Sequence, residues 1–247
     1  MEDLQEKILR LQKMIDSANR IVVFGGAGLS TESGIPDFRS ADGLYNQKYD
    51  YPPEYMLSHS CFRDMPKEFF RFYREKILVT DKMPNAAHYK IAELEKAGKL
   101  SAVITQNIDG LHQKAGSKNV YELHGSIHRN YCLRCGKFFS AEDLIAKKEL
   151  VPHCDCGGVI KPDVVLYEEG LDDDVWNGAV KAIQSTDLLL VIGTSLVVSP
   201  ANYLVSYYYG GDNLALINLS STTSDDMAKL VIHAKAGEVL SQIKINQ

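Results

Sequence analysis

Apolar positions recur along the chain with two periods. Residues 3 to 18 set Leu4, Ile8, Leu11 and Ile15 three or four apart among charges, which predicts an amphipathic helix packed on a sheet. Ile21 to Phe24 are a continuous apolar run, the pattern of a short buried strand. Residues 66 to 78, PKEFFRFYREKIL, return to helical spacing behind Pro66, and Phe69, Phe70, Phe72 and Tyr73 read as core. NAAHYKIAELEKA, residues 85 to 97, predicts a helix closed by Gly98, and residues 102 to 105 the next strand. KPDVVLYEE at 161 to 169 reads as extended, 176 to 185 as a helix, DLLLVIG at 187 to 193 as the clearest buried strand, and LALIN at 214 to 218 as the last strong one. Strand, helix and strand in succession predict an α/β fold with a parallel sheet. Residues 42 to 61 show little periodicity, and the tail with Ile232, Val239, Leu240 and Ile243 reads as one packing segment.

Composition narrows this picture. The 247 residues are 45% hydrophobic and 24% charged, enough for a large domain with a smaller companion. A net charge of -5 argues against binding to a nucleic-acid backbone and is compatible with a basic peptide partner. No run resembles a signal peptide or a membrane span, since Leu188 to Leu196 is too short, so a cytoplasmic protein is expected. A monomer is compatible with the sequence, which does not fix an oligomeric state.

Chemistry gathers where predicted strands end. Gly25, Gly26 and Gly28 follow the first strand and permit either an ordinary tight turn or close approach of backbone to a nucleotide phosphate. GIPDFR at 34 to 39 makes a poor surface helix and suits an ordered loop with contacts to make. TQNIDGLH at 105 to 112 places Gln106, Asn107 and Asp109 at the carboxyl end of a strand, where parallel sheets collect ligands; an Asx-rich turn is the plainer alternative. His124 is a structural histidine or a base suited to a sugar hydroxyl near neutral pH. Gly193, Thr194 and Ser195 offer amides and hydroxyls to a phosphate or ribose, and Asn218 ends its strand as a ribose contact or a cap.

Four of the five cysteines crowd between 132 and 156, which suits a metal in a reducing compartment better than disulfides. Cys132 and Cys135 form C-x-x-C, and Cys154 and Cys156 follow in H-C-D-C-G-G, predicting a structural zinc that staples a module too small for a secure core of its own. Four sulfurs are the preferred set. His153 in place of Cys154 is the alternative, because His153 and Cys156 have the more familiar spacing.

GAGLS at 26 to 30, GIPDFR, TQNIDGLH, the HG pair at 124 and 125, the paired cysteines, PDVVLYEE at 162 to 169, GTSLVVSP at 193 to 200 and the late asparagine occur together and in order. In that combination the chain resembles the sirtuins, NAD-dependent protein-lysine deacylases, in a bacterial-like form and over nearly its whole length. The resemblance implies a Rossmann-like parallel sheet with a small structural zinc module and a helical insertion. The expected division is 1–38, 80–125 and 160–247 for the NAD-binding domain, 39–79 for the cofactor loop and helical insertion, and 126–159 for the zinc module.

The resemblance further implies that Gly26, Ala27, Gly28 and Thr31 receive the pyrophosphate, with Asp37, Phe38 and Arg39 on a mobile cofactor loop. Gln106 and Asn107 would face the nicotinamide ribose, Ile108 and Asp109 the nicotinamide, Gly193, Thr194 and Ser195 phosphate and ribose, and Asn218 the adenosine ribose. His124 is the expected general base, assisted by Asn107, and the products would be free lysine, nicotinamide and O-acyl-ADP-ribose. Phe38 would shield the sugar from water. An acyl-lysine protein or peptide would lie between Val164, Val165, Leu166 and Tyr167 on one side and Leu196, Val197 and Val198 on the other, with the Val164 carbonyl accepting the substrate's amide N–H.

Some residues depart from the family pattern. Relatives preferring acidic acyl groups pair a tyrosine with an arginine three residues later, whereas here Lys76 follows Tyr73 and lacks the planar fork, which favours acetyl over succinyl. VVLYEE also has leucine, tyrosine and glutamate where many relatives have two phenylalanines and a glycine. Other deacylation, mono-ADP-ribosyl transfer and a non-catalytic NAD or acyl-lysine reader are the alternative functions.

Overall fold

The computed structural model describes residues 3–38, 43 and 51–245. Helix α1 (Leu4–Ser17) is capped reciprocally: Glu6 N donates to the Asp3 carboxylate while Asp3 N donates to that of Glu6. Strand β1 (Ile21–Gly25) follows. Beyond the glycine turn come α2 (Pro53–Met56), α3 (His59–Asp64) and α4 (Pro66–Phe72), the last running into a π turn at Tyr73–Ile77. The chain re-enters the sheet through α5 (Ala86–Lys96), β2 (Leu100–Thr105), α6 (Leu111–Ala115) and β3 (Val120–Glu122). It leaves it as β4 (Gly125–Cys132), β5 (Phe138–Ser140), α7 (Ala141–Ala146) and β6 (Ile160–Val164). It then finishes as α8 (Asp173–Gln184), β7 (Leu188–Ile192), β8 (Leu214–Asn218), β9 (Leu230–His233) and α9 (Ala236–Leu240).

The larger sheet has the order β3-β2-β1-β7-β8-β9 and every neighbouring pair is parallel. Both its faces are covered, which is why its strands read as unbroken apolar runs. Successive side chains point to opposite faces: Ile21 and Val23 pack with Leu11, Ile91 and Leu240, while Val22 and Phe24 pack with Ala179, Ile183 and Leu204. Strand order reverses between β1 and β7, so loops leaving their carboxyl ends diverge and open a crevice.

A smaller antiparallel sheet, β5-β4-β6, lies apart. Its inner residues Ile127, Phe139 and Ile160 share one core with Phe69, Phe70 and Tyr73 of the helical insertion. The rings are tightly set, Phe69 stacked 5.7 Å from Tyr73 and edge-on 5.1 Å from Phe70. Two stretches far apart in sequence therefore bury a common interior.

Several local readings change. The extended run at 161–169 is a strand only to Val164; beyond it Tyr167 N donates to Leu57 O at 3.0 Å and His59 N to Tyr167 O at 2.9 Å, turning the chain onto the insertion. The aperiodic passage holds α2 and the start of α3, too short to display a helical period. The tail is a strand, β9, followed by α9 rather than one packing segment.

Candidate active site

A cavity of about 560 Å³ opens at the β1/β7 crevice and extends between the two sheets. Its floor is the glycine turn. A Cβ on Gly26 would lie 2.7 Å from Thr194 Cβ and 2.8 Å from Gly193 O, and one on Gly28 2.9 Å from Gly193 Cα. Gly28 N donates to Gly193 O at 2.8 Å, so the turn is pressed onto the loop after β7, a closeness only glycine allows. Ala27, Gly28 and Thr31 line the cavity, while Gly26 is buried behind them. Gly193, Thr194, Ser195 and Asn218 line it opposite, and Asn218 Nδ2 donates to Thr194 O at 2.9 Å, leaving its amide oxygen as the acceptor to offer a ribose. Asp37 and Phe38 also line the cavity, and Phe38 packs against the smaller core; Arg39 lies outside the described residues.

The loop after β2 is held by a chain of polar contacts. Asn107 Nδ2 donates to Gly26 O at 3.1 Å and to Ser30 Oγ at 3.0 Å, and Ser30 Oγ donates to Asp109 Oδ2 at 2.6 Å. Because the NH₂ of Asn107 is committed, its carbonyl oxygen is the group left for a ligand. Leu111 N donates to Asp109 Oδ1 at 2.9 Å, and His128 Nε2 reaches Asp109 O at 3.0 Å. Burial raises the Asp109 pKa from the ordinary carboxylate value, with the Ser30 and Leu111 hydrogen bonds opposing it. Gln106 Nε2 donates to Thr194 Oγ1 at 3.0 Å and joins this loop to the opposite wall. Gln106, Asn107, Ile108 and Asp109 all line the cavity.

His124 stands between β3 and β4 and lines the same cavity. Its Nδ1 lies 2.9 Å from Gln106 O, and since a carbonyl only accepts, the proton sits on Nδ1 and Nε2 is the free base. Burial lowers its pKa below the ordinary histidine value, with the Gln106 contact opposing the shift. Val165 N donates to His124 O at 3.0 Å.

On the proposed peptide side, Val164, Val165, Leu166 and Tyr167 line the cavity, as does Val198, whereas Leu196 and Val197 lie outside its lining. Val164 pairs with Gly125 inside the smaller sheet, and its carbonyl already accepts from Lys161 Nζ at 3.1 Å. Tyr73 is fully buried and its hydroxyl finds no partner among the described residues. Lys76 lines the cavity and is ion-paired with Glu75 at 3.0 Å.

The four cysteine sulfurs lie within 4.8 Å of one another, with Cys132 to Cys156 at 3.4 Å and Cys135 to Cys154 at 3.7 Å. A tetrahedral site with Zn–S near ~2.3 Å sets its sulfurs about 3.8 Å apart, so the set fits one zinc. His153 turns instead to Glu149, 3.1 Å away, which removes it as the alternative ligand. Four protein thiolates leave zinc no open position, and its role is structural.

Ser30 and His128 were not among the residues singled out by sequence. Ser30 is visible within GAGLS, but its partners lie 77 and 79 residues away, and no local pattern announces them. Ser220, Ser221 and Thr222 extend the wall beyond Asn218 and carried no signal of their own.

Comparison with known proteins agrees with this geometry. The Sir2 family model matches residues 26–200. An NAD-dependent protein deacetylase of Clostridium acetobutylicum is 57% identical over 97% of this chain and 99% of its own, and one of Clostridium perfringens 55% identical over the same shares. A solved Sir2 structure with a deacetylated peptide and 3'-O-acetyl ADP-ribose superposes with a TM-score of 0.88 at 39% identity, covering 94% of this chain and 95% of the other. From the glycine turn, the His124 base, the four-sulfur cluster and these likenesses, the chain belongs to the Sir2 family.

Proposed function

We propose that this chain removes acetyl groups from protein lysines at the expense of NAD, releasing nicotinamide and O-acetyl-ADP-ribose. The observation that carries the proposal is His124, a neutral imidazole with Nε2 free in a cavity floored by a glycine turn that a Cβ would block. NAD, when bound, supplies a ribose carbon that loses nicotinamide and accepts the acyl oxygen. Ala27, Gly28 and Thr31 suit the pyrophosphate, and the carbonyl oxygen of Asn107 suits a ribose hydroxyl. Asp109, fixed by Ser30, Leu111 and His128, suits the nicotinamide amide as acceptor. His124 Nε2 takes the proton of a ribose hydroxyl, and Phe38 keeps water from the sugar face.

The peptide is proposed to run between residues 164–167 and 196–198. Lys161 already donates to the Val164 carbonyl, so the acyl-lysine N–H is proposed to use either the second lone pair of that oxygen or the carbonyl of Val165, a residue that also lines the cavity. Acetyl is favoured over succinyl because Tyr73 is buried and Lys76 is already paired. Functionally 126–159 is proposed as the zinc module and 39–79 as the cofactor loop and helical insertion, with β6 (Ile160–Val164) completing the smaller sheet beyond the boundary read from sequence. The net charge of -5 and the free thiol cluster support a cytoplasmic enzyme acting on proteins rather than nucleic acid, and a monomer is compatible with them. Among the described residues no helix is long and apolar enough to cross a membrane.

Incubation with NAD and an acetyl-lysine peptide tests this by mass spectrometry. Loss of an acetyl mass with appearance of O-acetyl-ADP-ribose is expected, and His124→Ala should lower kcat by roughly 10² to 10⁴. Added ADP-ribose mass on protein in place of deacetylation would overturn the proposal.

A further inference from the structure

We propose that Glu168 gives this enzyme a charge preference, favouring substrates that carry arginine or lysine beside the acyl-lysine. The inference rests on the reading of residues 164–167 as a peptide wall. Among the described residues, only Glu168 and Leu196 adopt left-handed backbone without being glycine, at φ of 77° and 54°. A β-carbon disfavours this region and glycine enters it freely, so a retained side chain calls for a reason. For Leu196 the backbone supplies one, its N–H donating to Thr194 Oγ1 at 3.2 Å. For Glu168 the reason lies in the carboxylate.

Glu168 lines the cavity. Its Oε2 accepts from Ser60 N at 2.9 Å and Ser60 Oγ at 2.7 Å, both neutral donors, and these contacts hold its pKa below the ordinary glutamate value. His59 and Arg63 lie near enough to act on it electrostatically, but their own direct contacts are to other carboxylates. Glu169 meets Lys161 Nζ at 3.0 Å and His59 Nδ1 at 2.9 Å, and Arg63 is bidentate to Asp64 with both contacts at 2.7 Å. Glu168 is in ion-pair contact with no cation among the described residues. It therefore presents a fixed, ionised carboxylate to whatever occupies the wall, with Oε1 open to a charge-assisted hydrogen bond. A flanking guanidinium or ammonium gains from that charge, and a flanking carboxylate is repelled.

The test uses acetyl-lysine peptides identical except for arginine, alanine or glutamate at positions from three before to three after the modified lysine. We expect kcat/KM for the best arginine peptide to exceed that of its glutamate counterpart by about tenfold at low salt, through KM, with the ratio shrinking as NaCl rises. Glu168→Gln keeps an oxygen for Ser60 and removes the charge, so the ratio should fall to about twofold or less. Ser60→Ala removes the hydroxyl donor, leaves the backbone N–H in place and keeps the charge, so the ratio should persist. A ratio that survives Glu168→Gln, or that is lost equally in Ser60→Ala, overturns the proposal. Backbone N-methylation of the same peptides separates the two readings. If it raises KM throughout while the ratio survives Glu168→Gln, the charge assignment alone falls; if it changes nothing, the peptide wall falls and takes the assignment with it.

Discussion

The parallel sheet and the smaller lobe are equally dry inside and differently supported. Leu188 to Ile192 of β7 are buried on both faces, hydrogen-bonded to a strand on either side, and sandwiched by helices of the two covering layers. Phe69, Phe70 and Tyr73 are buried as completely, yet their cover is a three-stranded sheet whose far end is gathered by four sulfurs. Burial measures how much water has been removed. It does not measure whether a region stands without a metal, and the four-sulfur cluster belongs to the smaller lobe alone among the described residues.

Removal of zinc should split them most sharply. A structural zinc contributes on the order of 10 kcal/mol to the fold it closes. Cys135→Ser, or a strong chelator, should strip hydrogen-exchange protection from Gly125–Val164 and Pro66–Ile77 while β1, β7 and β8 keep theirs. Loss of protection spread evenly over both sheets would break the comparison.

Core truncations should divide along the same line with less force. Phe69→Ala should cost about 3–5 kcal/mol, and Leu190→Ala about 2–5 kcal/mol. Followed by native-state exchange, the first should lower protection in the smaller lobe before the sheet, and the second the reverse.

Acid should act in the opposite sense, on the sheet side first. His88 of α5 and His112 of α6 are buried, their ring centroids 4.9 Å apart, and burial lowers their pKa values to about 4 and about 3. Above the unfolded value near ~6.5 both states are neutral and nothing is lost. Below it the unfolded chain binds protons that the folded chain refuses, so each histidine removes up to about 1.4 kcal/mol per pH unit until its folded pKa is reached. Urea unfolding at pH 7 and 5.5 should show roughly 1 kcal/mol lost per histidine, and His112→Phe should flatten that slope.

The sheet was the more legible region for the same reason that it is the more self-sufficient. Ile21 to Phe24 and DLLLVIG announce buried strands because both faces are covered, and Asn85 and Gly98 mark the ends of their helix through local chemistry. The four cysteines were readable from spacing, although only geometry excluded His153. α3 was not readable. Its position depends on Ser60 reaching Glu168, and on Tyr167 bonding to Leu57 and His59, contacts that span more than a hundred residues. In the active site, Gln106, Asn107, Asp109 and His124 stood out because they follow strands. Ser30 did not, because a small hydroxyl in a turn carries no mark of the two distant side chains it joins.

His124 is tied in two directions at once. Its ring is fastened to Gln106 at the end of the large sheet, and its carbonyl to Val165 at the edge of the small one. Such a residue is a tie between the two bodies. The position of its imidazole in the cavity is therefore set by both sheets at once and by neither alone.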